Sequence, residues 1–164
     1  MNEHQLHQLS EQVGNKLKDK GLWITCAESC TGGWVAKAIT DIAGSSAWFD
    51  RGFVTYSNAA KHQLLGVAEA TLHEFGAVSE ESVREMAQGA LHAAGANLAL
   101  SISGIAGPDG GTEAKPVGTV WFGFADSEGR IMALKRQFSG DRESVRLQAA
   151  VFSLQTALNE FLEK

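Results

Sequence analysis

The sequence predicts an α/β layered domain in which helices cover a mixed, largely parallel sheet, and three observations carry that prediction. Short apolar stretches, Leu22 to Cys26 and Asn97 to Ser103, alternate with segments whose apolar residues recur at helical spacing. Each stretch leads into glycines, Gly32-Gly33 in one case and Gly104 in the other, where sheets of this class open their crevice beyond the strand ends. Val117 to Ala125 and Arg130 to Phe138 are strand-like, and Asp126-Ser127-Glu128-Gly129 between them suits a hairpin, so part of the sheet is antiparallel.

The elements follow in order. Leu6, Leu9, Val13 and Leu17 share one face of a first helix that Gly21 ends. The strand Leu22 to Cys26 leads through Ala27-Glu28-Ser29-Cys30-Thr31-Gly32-Gly33 to a helix with Trp34, Val35, Ala38, Ile39 and Ile42 on its apolar side, stopped by Gly44. Arg51 to Tyr56 is expected to be a strand, and Asn58 to cap a short helix carrying Lys61, Leu64 and Leu65 before Gly66. Ser79 with Glu80 and Glu81 starts a helix whose apolar face is Val83, Met86, Ala87, Ala90, Leu91 and Ala94, and Gly95 closes it. The last helix starts near Asp141 and turns Leu147, Val151, Leu154, Leu158 and Phe161 to the core.

The 164 residues fit one domain, 1–164, built in three layers. A net charge of -5 argues against a broad grip on nucleic acid while allowing a local basic pocket for one phosphate. No apolar run reaches the roughly 20 residues needed to span a bilayer, and the polar start is no export signal, so a soluble, cytoplasmic protein with two reduced thiols, Cys26 and Cys30, is expected.

Ser29 stands where the first strand turns toward a helix. Unpaired N–H groups there can stabilise an anion, and the following glycines let a substrate approach the backbone; an N-cap serine with packing glycines is the plainer alternative. No histidine stands in a serine–histidine motif, so a lysine is the next candidate base. Lys61 lies five residues past Tyr56 and could share a pocket with it, Tyr56 relaying a proton or holding the amine; by spacing alone Lys61 is a surface lysine and Tyr56 a half-buried strand residue. Cys30 is the rival nucleophile, because a thiol at a helix N-terminus can have a lowered pKa. His62 points away from Lys61 and is expected to be solvated. No spacing of metal ligands occurs, and neither metal nor cofactor is expected. The loop Gly104 to Thr112 lacks a P-loop ending, yet its N–H groups could cradle a monophosphate, with Thr112 and Lys115 adding a hydroxyl and a charge; a flexible connection is the alternative. Arg142 could pair with that phosphate or with a surface carboxylate.

Taken together, Ala27 to Gly33, Thr55-Tyr56-Ser57-Asn58-Ala59-Ala60-Lys61, Leu64-Leu65-Gly66-Val67, Gly76-Ala77-Val78-Ser79, Ser103-Gly104-Ile105-Ala106-Gly107-Pro108 and Lys115 to Val120 closely resemble the CinA C-terminal domain family, in order, over roughly residues 5 to 162. The resemblance implies nicotinamide-nucleotide amidase activity, the hydrolysis of nicotinamide mononucleotide to nicotinate mononucleotide and ammonia in pyridine nucleotide recycling. It implies Ser29 as nucleophile and Tyr56 and Lys61 as proton-transfer partners. Thr31, Gly32, Gly104, Gly107, Gly110, Gly111, Thr112 and Arg142 are the expected substrate-binding residues, with backbone N–H groups at the start of the helix after Ser29 as oxyanion donors. Many relatives carry a further N-terminal domain resembling molybdopterin-binding proteins; this chain is expected to stand alone, with apolar surface on its terminal helices available for a homodimer. Two other functions fit the same residues: a nucleotide-sensing or competence-related module that does no hydrolysis, and an amidase of another phosphorylated amide.

Overall fold

The computed structural model describes residues 1–163 and contains five strands and six α-helices among them. Helix α1 (Glu3–Lys20) precedes β1 (Ile24–Glu28) and α2 (Trp34–Thr40); β2 (Phe53–Val54) leads to α3 (Asn58–Leu65), α4 (Glu69–Phe75) and α5 (Glu80–Ala94). Then come β3 (Leu98–Gly104), β4 (Thr119–Asp126), β5 (Ile131–Gln137) and α6 (Arg142–Ala157), which continues into one wider turn over Leu158–Leu162. The strand order is β2-β1-β3-β4-β5, with β1 parallel to both neighbours and β4 antiparallel to both of its own. The ends of β2, β1 and β3 therefore lie side by side on one edge of the sheet, as convergence of Ser29, Tyr56 and the Gly104 loop requires.

The two faces of the sheet differ in side-chain size, and this sets where the helices sit. Alternation along β3 sends Leu98, Leu100 and Ile102 to the face covered by α1, α2 and α6, where Phe122 and Phe124 of β4 join them. The other face carries Ala27, Ala99, Ser101, Gly123 and Ala125. Such a shallow face lets α5 come close: Ser101 Oγ donates to Val83 O at 2.6 Å, and a Cβ on Gly123 would lie 2.2 Å from that same carbonyl. Helix α3 in turn lies on α5 at Gly89, where a Cβ would stand 1.8 Å from Leu65 O.

Several expectations change. Only Phe53 and Val54 of the expected strand Arg51 to Tyr56 are paired, because β2 is an edge whose single neighbour, β1, ends at Glu28. The cap of α3 is Ser57, whose Oγ accepts from Ala60 N at 3.0 Å, and Asn58 is the first helical residue. Helix α4 has no counterpart among the elements that the sequence predicts. His62 is exposed, as expected, and adds one contact, its Nδ1 lying 2.8 Å from Val67 O. The apolar residues of the terminal helices are directed into the core; among the described residues the exposed large hydrophobics are Met1, Trp23, Val54, Tyr56, Leu64 and Phe75, none of them on α1 or α6. No helix among the described residues is long and apolar enough to cross a membrane.

Candidate active site

Strand β1 delivers Ser29 one residue past its end, and hydrogen bonds to both flanks hold it there. Ser29 N–H donates to Ile102 O of β3 at 3.0 Å, while Thr55 N–H, just past β2, donates to Glu28 O at 2.8 Å. Because Thr55 is fixed in this way, its carbonyl becomes a fixed acceptor: Lys61 Nζ donates to Thr55 O at 2.6 Å and to Ser29 Oγ at 3.0 Å. Lys61 is 1% exposed and makes no ion pair with a carboxylate among the described residues. Burial without a counter-charge disfavours its ammonium form and pushes the pKa down from 10.5 to about 8, countered only in part by the nearby Cys30 thiol. A lysine whose pKa is drawn toward the neutral range, in contact with a serine hydroxyl, has the geometry of a base and its nucleophile.

The hydroxyl opens on a cleft of about 290 Å³ whose walls include Tyr56, Asn58, Ser103, Gly104, Gly107 and Arg142. Helix α6 sends Arg142 across its mouth. The guanidinium donates to Gly107 O at 2.9 Å and to Tyr56 Oη at 3.1 Å, and among the described residues no carboxylate pairs with it. Its charge is thus left available to an anion in the cleft. Gly107 and Gly110 have φ values of +85° and +93°, so only glycine sits there without strain. Among the described residues no cluster of three His, Cys, Asp or Glu side chains is placed to hold a metal ion.

The CinA C-terminal domain model matches residues 6–161. The chain belongs to this family. Similar proteins include one from Enterobacter agglomerans called nicotinamide-nucleotide amidohydrolase PncC, 73% identical over 163 residues and covering 99% of both chains. Its namesake from Escherichia coli K12 is 64% identical over the same coverage. Among solved structures, the competence/damage inducible protein CihA from Agrobacterium tumefaciens superposes with a TM-score of 0.94 at 40% identity, over 98% of this chain and 96% of that one. A CinA superfamily protein from Klebsiella pneumoniae gives 0.92 at 43% identity, over 99% of each chain.

Within this CinA domain the expected site residues divide into two groups. Ser29, Tyr56, Lys61, Gly104, Gly107, Gly110 and Arg142 line one cleft. Thr31 and Gly32 do not; they face a larger cleft of about 700 Å³ on the other side of the loop, with Glu3, His7, Lys37 and Arg146. The Thr31 hydroxyl is directed inward, donating to Glu28 Oε1 at 2.6 Å. Gly111 and Thr112 also lie outside the Ser29 cleft. A Cβ on Gly111 would meet Val117 N at 2.7 Å, and Thr112 Oγ1 accepts from Lys115 N at 3.0 Å, so this part of the loop closes on itself. The Lys115 ammonium donates to Phe75 O at 2.8 Å.

Two chemical expectations change as well. Tyr56 is 64% exposed and its hydroxyl meets Arg142; it is Thr55 O that holds the lysine amine, the place expected for Tyr56. The Val35 and Ala36 N–H groups, at the start of the helix after Ser29, both donate to the Glu28 carboxylate, at 2.9 and 3.0 Å, and are not free for an oxyanion. Burial, reinforced by Glu28, pushes the Cys30 thiol up to about 11, the opposite of the lowering expected at a helix N-terminus. Sequence reasoning missed Ser103, which is 1% exposed, lines the cleft and has a hydroxyl with no hydrogen-bond partner among the described residues. Its position as the last β3 residue before Gly104, one strand from Ser29, was the available signal.

Proposed function

We propose that this chain is a nicotinamide-nucleotide amidase acting in the cytoplasm in pyridine nucleotide recycling, hydrolysing the carboxamide of nicotinamide mononucleotide to nicotinate mononucleotide and ammonia. The observation that carries the mechanism is the buried Lys61 amine, 3.0 Å from Ser29 Oγ and paired with no carboxylate among the described residues. In its neutral form Lys61 takes the Ser29 proton as Oγ attacks the carboxamide carbon, and the carbonyl π pair moves to oxygen. As the tetrahedral species collapses, the Lys61 ammonium gives its proton to the departing nitrogen and ammonia leaves an acyl-enzyme. A water then repeats the sequence: Lys61 removes its proton, hydroxide adds to the ester, and Ser29 Oγ leaves with the proton that Lys61 returns.

Arg142 is proposed to bind the 5′-phosphate, assisted by Tyr56 and by a Gly104 to Gly110 segment that admits close approach. Binding there orients the carboxamide at the far end of the ligand, so phosphate recognition has a catalytic consequence. The test is the release of ammonia and nicotinate mononucleotide by the purified chain, beside a folded Ser29→Ala protein. Saturable binding without turnover would replace this reading with a nucleotide-sensing module. Equal efficiency on the dephosphorylated nucleoside would remove the phosphate clamp.

A further inference from the structure

Glu28 is the last residue of β1, is fully buried and immediately precedes Ser29. Its carboxylate receives four donors. Oε1 accepts from Thr31 Oγ1 at 2.6 Å and Val35 N at 2.9 Å; Oε2 accepts from Ala36 N at 3.0 Å and lies 3.8 Å from Cys26 Sγ. Among the described residues no cation forms an ion pair with it. Four donors and no acceptor is a demand that a carboxylate meets and an amide does not, since the NH₂ of a glutamine would face a donor on one side or the other. From the opposite side Arg146 holds the same loop, its Nε donating to Cys30 O at 2.9 Å and its Nη2 to Thr31 O at 3.4 Å. Thr31 is therefore gripped by a buried anion within and a cation without, and the same cation holds Cys30. Meanwhile the Cys30 N–H, which follows the nucleophile in a residue that lines the cleft, donates to no other residue among those described.

We propose that Glu28 is a positioning residue for the serine chemistry: its carboxylate fixes the Ser29 to Thr31 loop so that Ser29 Oγ meets Lys61 and the Cys30 N–H stays free to receive the oxyanion. This rests on the serine mechanism proposed above. The charge is placed where it occupies the Val35 and Ala36 donors of α2, which leaves oxyanion binding to the loop N–H. Burying a carboxylate is costly unless every acceptor site is filled, so the loop and the carboxylate enforce one another's geometry.

The experiment compares wild type, Glu28→Gln and Thr31→Val, the second removing one donor while leaving the capping of α2 in place. Three quantities are measured well below each protein's melting temperature: the rate of Ser29 labelling by a fluorophosphonate probe, kcat for nicotinamide mononucleotide, and KM. Labelling and kcat should both fall about 100-fold in Glu28→Gln, the loss expected of a misplaced nucleophile, with KM within about twofold; Thr31→Val should move the same way by a smaller factor. Labelling at the wild-type rate in whichever variant folds, or a rise in KM that accounts for the loss, overturns the proposal. A wild type that resists labelling at Ser29 overturns the serine mechanism itself, and this proposal with it.

Discussion

Lys61 Nζ stands 3.0 Å from Ser29 Oγ although 32 residues separate them in the chain. Neither residue reaches the other through its own element alone. The contact exists because β2 and β1 end together, placing Thr55 beside Glu28, and because α3 then turns Lys61 back over both strand ends. A folded Ser29→Ala protein should lose on the order of 10⁴-fold or more in kcat with its Kd for nicotinamide mononucleotide little changed, measured by ammonia release and calorimetry. Cys30→Ala should keep kcat within roughly tenfold of wild type, because its buried thiol is protonated at working pH.

The same contact sets a pH dependence. Lys61 must be neutral to take a proton, so kcat/KM should rise with pH along a limb centred near 8. Stability responds in the same direction. Between about 8 and 10.5 the unfolded chain holds a proton on Lys61 that the folded chain has lost, so this residue's contribution to folding increases as pH rises through that window. The difference in melting temperature between wild type and Lys61→Met should therefore shift in favour of wild type from pH 8 to pH 10. A constant difference across that range would contradict the burial-driven shift.

Arg142 and Tyr56 are predicted to act on binding. Arg142→Gln should raise KM for nicotinamide mononucleotide by about 10-fold or more, as loss of a charge-assisted phosphate contact does, while leaving KM for the dephosphorylated nucleoside nearly unchanged. Tyr56→Phe removes only the hydroxyl that accepts from Arg142, and kcat should fall by less than about 10-fold. A loss in kcat approaching that of Ser29→Ala would return Tyr56 to the proton-transfer role that the family resemblance implies.

Gly89 links stability to the site from a distance. An added Cβ would lie 1.8 Å from Leu65 O and 2.7 Å from Leu65 C, atoms of the helix that carries Lys61. Gly89→Ala should cost about 1–3 kcal/mol through overpacking and should lower kcat as α3 shifts, although residue 89 is not in the cleft. Denaturant unfolding beside ammonia release checks both effects.

Much of this architecture is legible in the sequence. Strands β1 and β3 and helices α5 and α6 are strongly patterned, and Gly21, Gly66 and Gly95 end their helices in the left-handed conformation that their identity suggests. β2 is shorter than the sequence predicts because its two paired residues give alternation nothing to work with, and α4 is too short to display a period. At the site, Ser29 was readable from its place beyond a strand. The burial of Lys61 was not, because it depends on Gly89 and the small residues beneath α5, which bring α3 inward. Thr31 and Gly32 lie outside the Ser29 cleft for a related reason: closeness in sequence to Ser29 does not say which side of the loop a residue faces, and here Glu28 draws Thr31 inward.

The antiparallel order of β3, β4 and β5 leaves the connection at Ser127 to Gly129 at the end of the sheet opposite Ser29. Ser29, Lys61 and Arg142 line a cleft at the rim of the parallel strands, and that distant turn forms no part of it. It is accordingly the natural point of attachment for a reporter or an inserted peptide: a graft between Glu128 and Gly129 would lengthen a solvent-facing bend while leaving the reacting edge of the sheet as it stands.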